Sequence, residues 1–147
     1  MLRGKQFGFS LIELMIVLAI TVTLIMLVAP SFKSLIERRH LSGAAETFYA
    51  DLYYAKSEAI KRSANITMDV TSGENWSYQI TGPGAIGTLK TVTGTTYTNI
   101  QMSAGADSTF SSRQGMPGAA QNFTFRVGAA GDTKTIAVNA IGRIKLD

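Results

Sequence analysis

The feature that most constrains this chain is an apolar run near its start. The run has 21 residues, Phe9 to Ala29, and Glu13 is its one charged residue. An α-helix of that length rises about 31 Å, which matches a bilayer core of about 30 Å. We therefore expect a membrane-spanning helix, followed by one compact domain of about 115 residues.

Two plainer interpretations of the run stay open. A secretory signal peptide would explain Ala29-Pro30-Ser31, which loosely imitates a small-x-small cleavage site. Against it, the run is at the long limit for a signal sequence, and a carboxylate at its start brings such a peptide no advantage. The second interpretation is a simple single-span anchor. Its orientation is not fixed by charge, because basic residues flank both ends of the run: Arg3, Lys5, Lys33, Arg38 and Arg39.

Glu13 is the informative residue of the run. A carboxylate within an apolar helix costs a few kcal/mol in lipid, so it indicates a function and needs a partner. The surrounding segment, Gly8-Phe9-Ser10-Leu11-Ile12-Glu13-Leu14, resembles the processing site of type IV prepilins and pseudopilins. That resemblance implies cleavage after Gly8 by a membrane peptidase and methylation of the new N-terminus, Phe9. It also implies that Glu13 pairs with the N-terminal amine of a neighbouring subunit, because two charges are tolerable in lipid as a pair.

The hydropathy pattern beyond Pro30 predicts an α+β fold. Helical spacing continues to about residue 64, with an apolar stripe at Leu41, Ala45, Phe48, Leu52, Ala55 and Ala59. The period then changes to two, which predicts a hairpin from Ile66–Val70 and Trp76–Ile80. Similar alternation predicts strands at Phe123–Val127, Ile136–Val138 and Ile144–Leu146. Residues 82–121 are rich in Gly, Ser and Thr, and we expect edge strands and long loops there.

A second resemblance lies in the middle and at the end of the chain. The segment Tyr54 to Arg62, the strand at Ile66–Val70 and Trp76 resemble the GspH/FimT group of pilin-like proteins, as do Phe125-Arg126 and Gly142-Arg143-Ile144-Lys145. The group implies a type IV pilin-like fold, in which a long N-terminal helix packs on antiparallel β-sheets. The expected divisions are a leader at 1–8, a transmembrane and filament-core helix at 9–29, and a periplasmic domain at 30–147.

Residue patterns for catalysis or cofactor binding are weak. The chain has no cysteine, and its one histidine, His40, stands beside Arg38 and Arg39, where a surface role is favoured. No His, Cys or carboxylate cluster has metal-ligand spacing. The segment Gly82 to Gly87 formally matches G-x-G-x-x-G, but strand-like residues follow it instead of the helix that a dinucleotide site needs. We therefore expect no catalytic residue, no metal and no cofactor.

A basic C-terminal region is the remaining candidate site. The chain has a formal net charge of +4, and five cations lie in its last third: Arg113, Arg126, Lys134, Arg143 and Lys145. Arg143 and Lys145 alternate with Ile144 and Leu146, so both would project from the same face of a strand. Such a face can bind phosphates, although charges that protect a sheet edge are the commoner explanation. FimT proteins of natural transformation bind DNA through Gly-Arg-x-Arg. Here Lys145 replaces the second arginine, which keeps the charge and loses the bidentate fork.

The two resemblances favour a FimT-like minor pilin, a structural or priming subunit that also binds extracellular double-stranded DNA. The alternative is a GspH-like minor pseudopilin of type II secretion, and an enzyme on a pilin-like anchor is the third class. The implied partners are prepilin peptidase, other pilins or pseudopilins, and the membrane. The implied location is the bacterial inner membrane, with a cytoplasmic N-terminus and a periplasmic C-terminal domain, and then the pilus or pseudopilus.

Overall fold

One helix, α1, occupies Leu11–Arg62 and passes through position 30 without a break. The computed structural model describes residues 9–112 and 115–147, without the side chains of residues 28–30. These residues form two compact units, one ending at Leu35 and the other running from Ile36 to Asp147.

The end of α1 is fixed by a hydrogen-bonded cap. Ser63 adopts a positive φ of 50°, its amide donates to the carbonyl oxygen of Ile60, and the amide of Ala64 donates to that of Ala59. These two bonds form a Schellman motif, which satisfies carbonyls that the helix leaves unpaired. Lys61 and Arg62 in the last turn also suit the negative end of the helix dipole. The helix thus ends within two residues of the predicted position.

Eight antiparallel strands follow α1 and form two sheets. Sheet A has the order β3-β2-β1-β5, and sheet B has the order β4-β6-β7-β8. The predicted hairpin is confirmed as β1 paired with β2, and the strands predicted in residues 123–146 are confirmed as β6, β7 and β8. The strands are β1 (Ile66–Thr71), β2 (Ser77–Gly82), β3 (Gly87–Thr93), β4 (Ile100–Ala104), β5 (Ser108–Phe110), β6 (Gln121–Val127), β7 (Thr133–Val138) and β8 (Ile144–Leu146).

The core of the second unit lies between α1 and both sheets. All six residues of the predicted helical stripe are buried. Phe48 is central: its ring centroid lies 4.9 Å from that of Tyr78 in sheet A and 4.7 Å from that of Phe123 in sheet B. Burying one such ring stabilises the fold by roughly 1.5–3 kcal/mol. The apolar residues that recur at helical spacing and those that alternate in the strands therefore pack into one core.

The strands within residues 82–121 all lie at sheet edges, as predicted. At the β3 edge, a bulge shifts the register beside Thr81, and the edge residue Lys90 pairs with Ile80 on the inward face. At the β5 edge, Phe110 bridges to Pro117, and at the β4 edge, Met102 bridges to Gly73. Two single turns of 3-10 helix, Gly84–Ile86 and Gly94–Thr96, flank β3. The fourth edge, β8, contacts α1 and is described with the site.

Candidate functional site

Glu13 lies in the first turn of α1 with its side chain exposed. Its neighbours Ile12 and Leu14 are exposed as well, and Phe9 is 81% exposed. By length and composition the helix could cross a membrane, and none of its apolar window is buried. Gly8, the residue before the predicted cut, lies outside the described residues. Glu13 is therefore a carboxylate on a surface that is otherwise suited to lipid or to other helices.

The hydroxyl groups in this apolar stretch are satisfied within the helix. Thr21 donates to the carbonyl oxygen of Val17 at 2.7 Å, and Thr23 donates to that of Ala19 at 2.8 Å. A hydroxyl bonded to its own helix loses little in an apolar medium. Glu13 therefore differs chemically from the two threonines, because only its charge calls for a partner from outside the helix.

The second candidate site begins at the turn between β7 and β8. Asn139 and Arg143 close this turn: the amide of Asn139 donates to the carbonyl oxygen of Arg143 at 3.0 Å, and the Asn139 side chain accepts from the Arg143 amide at 2.7 Å. Gly142 has a φ of +76°, a conformation that costs a residue with a Cβ. The glycine of the Gly-Arg-x-Lys segment is thus required by the turn that precedes β8.

Two side chains of α1 hold the free edge of β8. Lys56 Nζ donates to the carbonyl oxygen of Gly142 at 2.8 Å, and the Tyr53 hydroxyl lies 3.5 Å from the carbonyl oxygen of Ile144. Arg143 and Lys145 use their backbone groups toward β7, so the carbonyls of Gly142 and Ile144 face the other way. Lys56 and Tyr53, one helical turn apart, therefore contact carbonyl oxygens that would otherwise be open to a neighbouring strand.

The strand alternation puts Arg143 and Lys145 on the outer face of sheet B. Ile144 is buried between them, while both cations are exposed and line a shallow depression of about 360 Å³ with Ala137 and Asn139. Lys145 forms an ion pair with Asp147. The depression therefore presents two cations, one of which is partly neutralised.

The other predicted cations are placed differently. Arg126 shares the outer face, two strands away on β6, and its Nε is buried without a hydrogen-bond partner among the described residues. Lys134 pairs with Phe125, a core residue, and lies in register on the inner face. Arg113 falls outside the described residues. Three of the five predicted cations thus share a face, and Arg143 and Lys145 are neighbours on it.

Asp51 is a buried polar residue that we did not predict. It accepts a hydrogen bond from the Tyr78 hydroxyl at 2.7 Å and one from Lys90 Nζ at 2.6 Å. Burial, and next the bond to Asp51, raise the pKa of Tyr78 above its ordinary range, so the phenol stays a proton donor. The spacing offered a signal, because Asp51 lies three residues after Phe48 and four before Ala55, on the buried stripe. We interpret this network as a tie between α1 and sheet A.

The described residues contain no cluster of three or more His, Cys, Asp or Glu side chains that could hold a metal ion. His40 is half-buried on α1. The Gly82–Gly87 segment contains a 3-10 turn and leads into β3, so it lacks the helix that would orient a dinucleotide.

Two sequence families match this chain. The family described as type II transport protein GspH matches residues 44–142, more than half of the chain. The prokaryotic N-terminal methylation motif matches residues 3–29, which include Gly8, Phe9 and Glu13. That motif implies processing by prepilin peptidase and assembly with other pilins or pseudopilins. No curated protein sequence matches the chain significantly.

The fold resembles that of FimU, a type IV minor pilin of Pseudomonas aeruginosa. One crystal form of FimU matches with a TM-score of 0.63 and 23% identity, over 77% of this chain and 92% of the crystallised FimU chain. A second crystal form matches with a TM-score of 0.59 and 24% identity, over 73% and 92%. The likeness establishes the pilin fold, a helix packed on antiparallel sheets. Since the family profile spans most of the folded domain and the methylation motif precedes it, the chain belongs to the GspH family of pilin-like subunits.

Proposed function

We propose that this chain is a FimT-like minor pilin, made as a single-pass inner-membrane prepilin with a cytoplasmic N-terminus and a periplasmic domain from residue 30 onward. The observation that supports a filament subunit is Glu13, an exposed carboxylate on an apolar helix, and the Gly142-Arg143-Ile144-Lys145 segment supports the FimT-like assignment. Cleavage after leader residues 1–8 frees the amine of Phe9, and the helix at 9–29 enters the filament core. Glu13 of one subunit then pairs with the Phe9 amine of its neighbour, which offsets the cost of either charge alone.

Two measurements test this processing and assembly. Mass spectrometry of membrane-extracted protein should find a methylated Phe9 at the N-terminus, whereas a terminus at Pro30 or beyond would contradict the proposal. Glu13→Leu protein should accumulate in the membrane and be lost from sheared filaments. Thr21→Val is the matched control, since the Thr21 hydroxyl is satisfied within the helix, and this variant should enter filaments normally. If the Glu13→Leu variant enters filaments normally, the proposed pairing of Glu13 with the Phe9 amine is wrong.

We further propose that the protein binds extracellular double-stranded DNA through Arg143 and Lys145, with Arg126 on the same face. The support is the shared outward projection of two exposed cations from an edge strand. Binding would use phosphates, and phosphate contacts carry no base-sequence information. Two phosphate contacts give a slope of log K against log salt of about −2, so binding weakens strongly with salt.

A gel shift with duplex DNA at about 50 mM salt tests this role. The purified full-length protein in a neutral detergent should shift the duplex, and the Arg143→Gln/Lys145→Gln variant should not. Lys134→Gln is the control, because it removes one cation from the opposite face of the sheet and should leave the shift unchanged. If the parent protein shifts no duplex at that salt concentration, the DNA role is wrong.

The second candidate is a GspH-like pseudopilin of type II secretion, and the matching family profile is compatible with both candidates. Both candidates use the same helix and the same processing, so α1 does not separate them. The neighbouring genes do: other minor pilin genes support the first candidate, and a secretion operon supports the second. Deletion should accordingly reduce piliation and DNA uptake in the first case and protein secretion in the second.

A further inference from the structure

Tyr53, an exposed tyrosine of α1 close to β8, has no part in the function proposed so far. Tyr53 is 42% exposed, and its ring centroid lies 5.1 Å from that of Tyr49. Its hydroxyl reaches the carbonyl oxygen of Ile144, the residue between Arg143 and Lys145. An aromatic ring therefore lies beside the middle of the cationic segment and is partly open to solvent.

The charge of Arg143 acts on this ring. The hydrogen bond with Tyr49 is the main cause of a raised pKa at Tyr53, and the positive charge of Arg143 opposes that increase. The cations project from the outer face of β8, and Tyr53 lies at its edge. The phenol therefore reaches the backbone of the residue that lies between the two cations.

We propose that this site takes single-stranded nucleic acid, with phosphates on Arg143 and Lys145 and a base stacked on Tyr53. The proposal rests on the proposed DNA-binding function: the same cations bind duplex phosphates, and the ring adds a preference for unpaired strands. A strand that lies along β8 can turn an unpaired base over the edge onto the ring. In a duplex the bases are stacked on one another, so the ring gains no partner. Cations combined with open aromatic rings are the means by which proteins bind single strands without reading sequence.

Fluorescence anisotropy with the full-length protein in neutral detergent, at about 50 mM NaCl, tests the preference. The probes are an oligothymidine of about 12 nucleotides and a duplex of the same length. The parent protein should bind the oligothymidine more tightly. Tyr53→Leu should weaken that binding about 5- to 150-fold, the range for one stacked base, and change duplex affinity much less, because Lys56 still holds the start of the segment. Tyr53→Phe keeps the ring and should bind as the parent does.

Tyr54→Leu is the matched control, because Tyr54 is similarly exposed, at 38%, and lies about 100° further round the helix. It should bind both probes normally. Duplex binding that needs Arg143 and Lys145, with no gain for the oligothymidine and no effect of Tyr53→Leu, would overturn this inference and leave the DNA role standing. If Tyr53→Leu lowers the affinity for both probes equally, the ring only supports β8, and the inference is overturned as well. If the parent binds neither probe, both proposals fail.

Discussion

Lys56 Nζ donates a 2.8 Å hydrogen bond to the carbonyl oxygen of Gly142, and this bond joins α1 to the start of the Gly-Arg-x-Lys segment. A Cβ added at Gly142 would lie 3.2 Å from the same Nζ, so the lysine fits closely around a residue that has no side chain. The conformation of the turn and the position of the lysine therefore depend on each other.

Replacing Lys56 should loosen this turn. In Lys56→Met the carbonyl of Gly142 loses its charged donor, and we expect a loss of about 1–3 kcal/mol in the free energy of unfolding. Hydrogen exchange at the amides of Gly142 and Arg143, read by NMR, should accelerate. Lys61→Met removes an exposed lysine that pairs with Glu58 elsewhere on the helix, and it should leave those two exchange rates unchanged. Equal rates in both variants would show that Lys56 does not hold the turn.

Replacing Asp147 by asparagine should strengthen anion binding and have little effect on the free energy of unfolding. Lys145 and Asp147 form an exposed ion pair, and such pairs contribute about 0–1 kcal/mol. In Asp147→Asn the charge of Lys145 is free for a phosphate, so duplex affinity at low salt should rise about 1.5- to 5-fold. The gain should disappear at high salt because both effects are screened. The measurement is an anisotropy titration at two salt concentrations, and unchanged affinity at low salt would contradict the expectation.

Asp51 should matter more for stability than any exposed carboxylate of sheet A. In Asp51→Ala the buried hydroxyl of Tyr78 loses its acceptor, which costs about 1–3 kcal/mol. Asp69→Ala is the control, because Asp69 is exposed and bonds only to Thr81 among its side-chain contacts in the described residues. Its loss should stay within about 0.5 kcal/mol. Urea denaturation of both variants checks the difference, and equal losses would be the contrary result.

Acid should weaken the fold partly through Glu58. The hydrogen bond from Arg62 is the main cause that lowers the pKa of this buried carboxyl, against an opposing effect of burial. A carboxyl whose pKa is lower in the folded state contributes stability above its ordinary pKa, about 4.3, and loses it as the pH falls through the lower folded value. In Glu58→Gln, stability should fall less steeply in that acid range.

The control for this pH dependence is Glu46→Gln, since Glu46 is exposed on the same helix. Thermal melts in a pH series should give Glu46→Gln the slope of the parent and Glu58→Gln a shallower one. A parent-like slope in Glu58→Gln would mean that other groups account for the acid sensitivity.

The sequence allowed those parts of the fold to be predicted that repeat with a period. Phe48 and Leu52 recur at helical spacing and are buried, and the alternation around Met68 marks β1. The short β5 was not predicted, because Ser108–Phe110 is too short to show a period and is held by pairing with β1. A three-residue strand takes its conformation from its neighbour rather than from its own pattern.

The candidate site was predictable only in part, for a similar reason. Alternation with Ile144 placed Arg143 and Lys145 together, since side-chain direction in a strand follows from spacing alone. The same rule places Lys134 on the face of Ile136, but Lys134 lies before the predicted strand and joins it only because β7 begins at Thr133. Lys56 and Tyr53 reach β8 from 86 and 91 residues away in the sequence, and no local pattern encodes such a contact.

The way in which each sheet edge is closed affects how neighbouring subunits can interact in a filament. Subunits in a filament stand at a very high local concentration, where an open strand would invite pairing with the next subunit. In the described residues, β3 has a bulge and an inward lysine, β4 and β5 each have a bridge to a neighbouring segment, and β8 has Lys56 and Tyr53. Crowding therefore does not by itself encourage strand exchange. The strands of each domain can therefore stay paired within that domain while the helices assemble and disassemble.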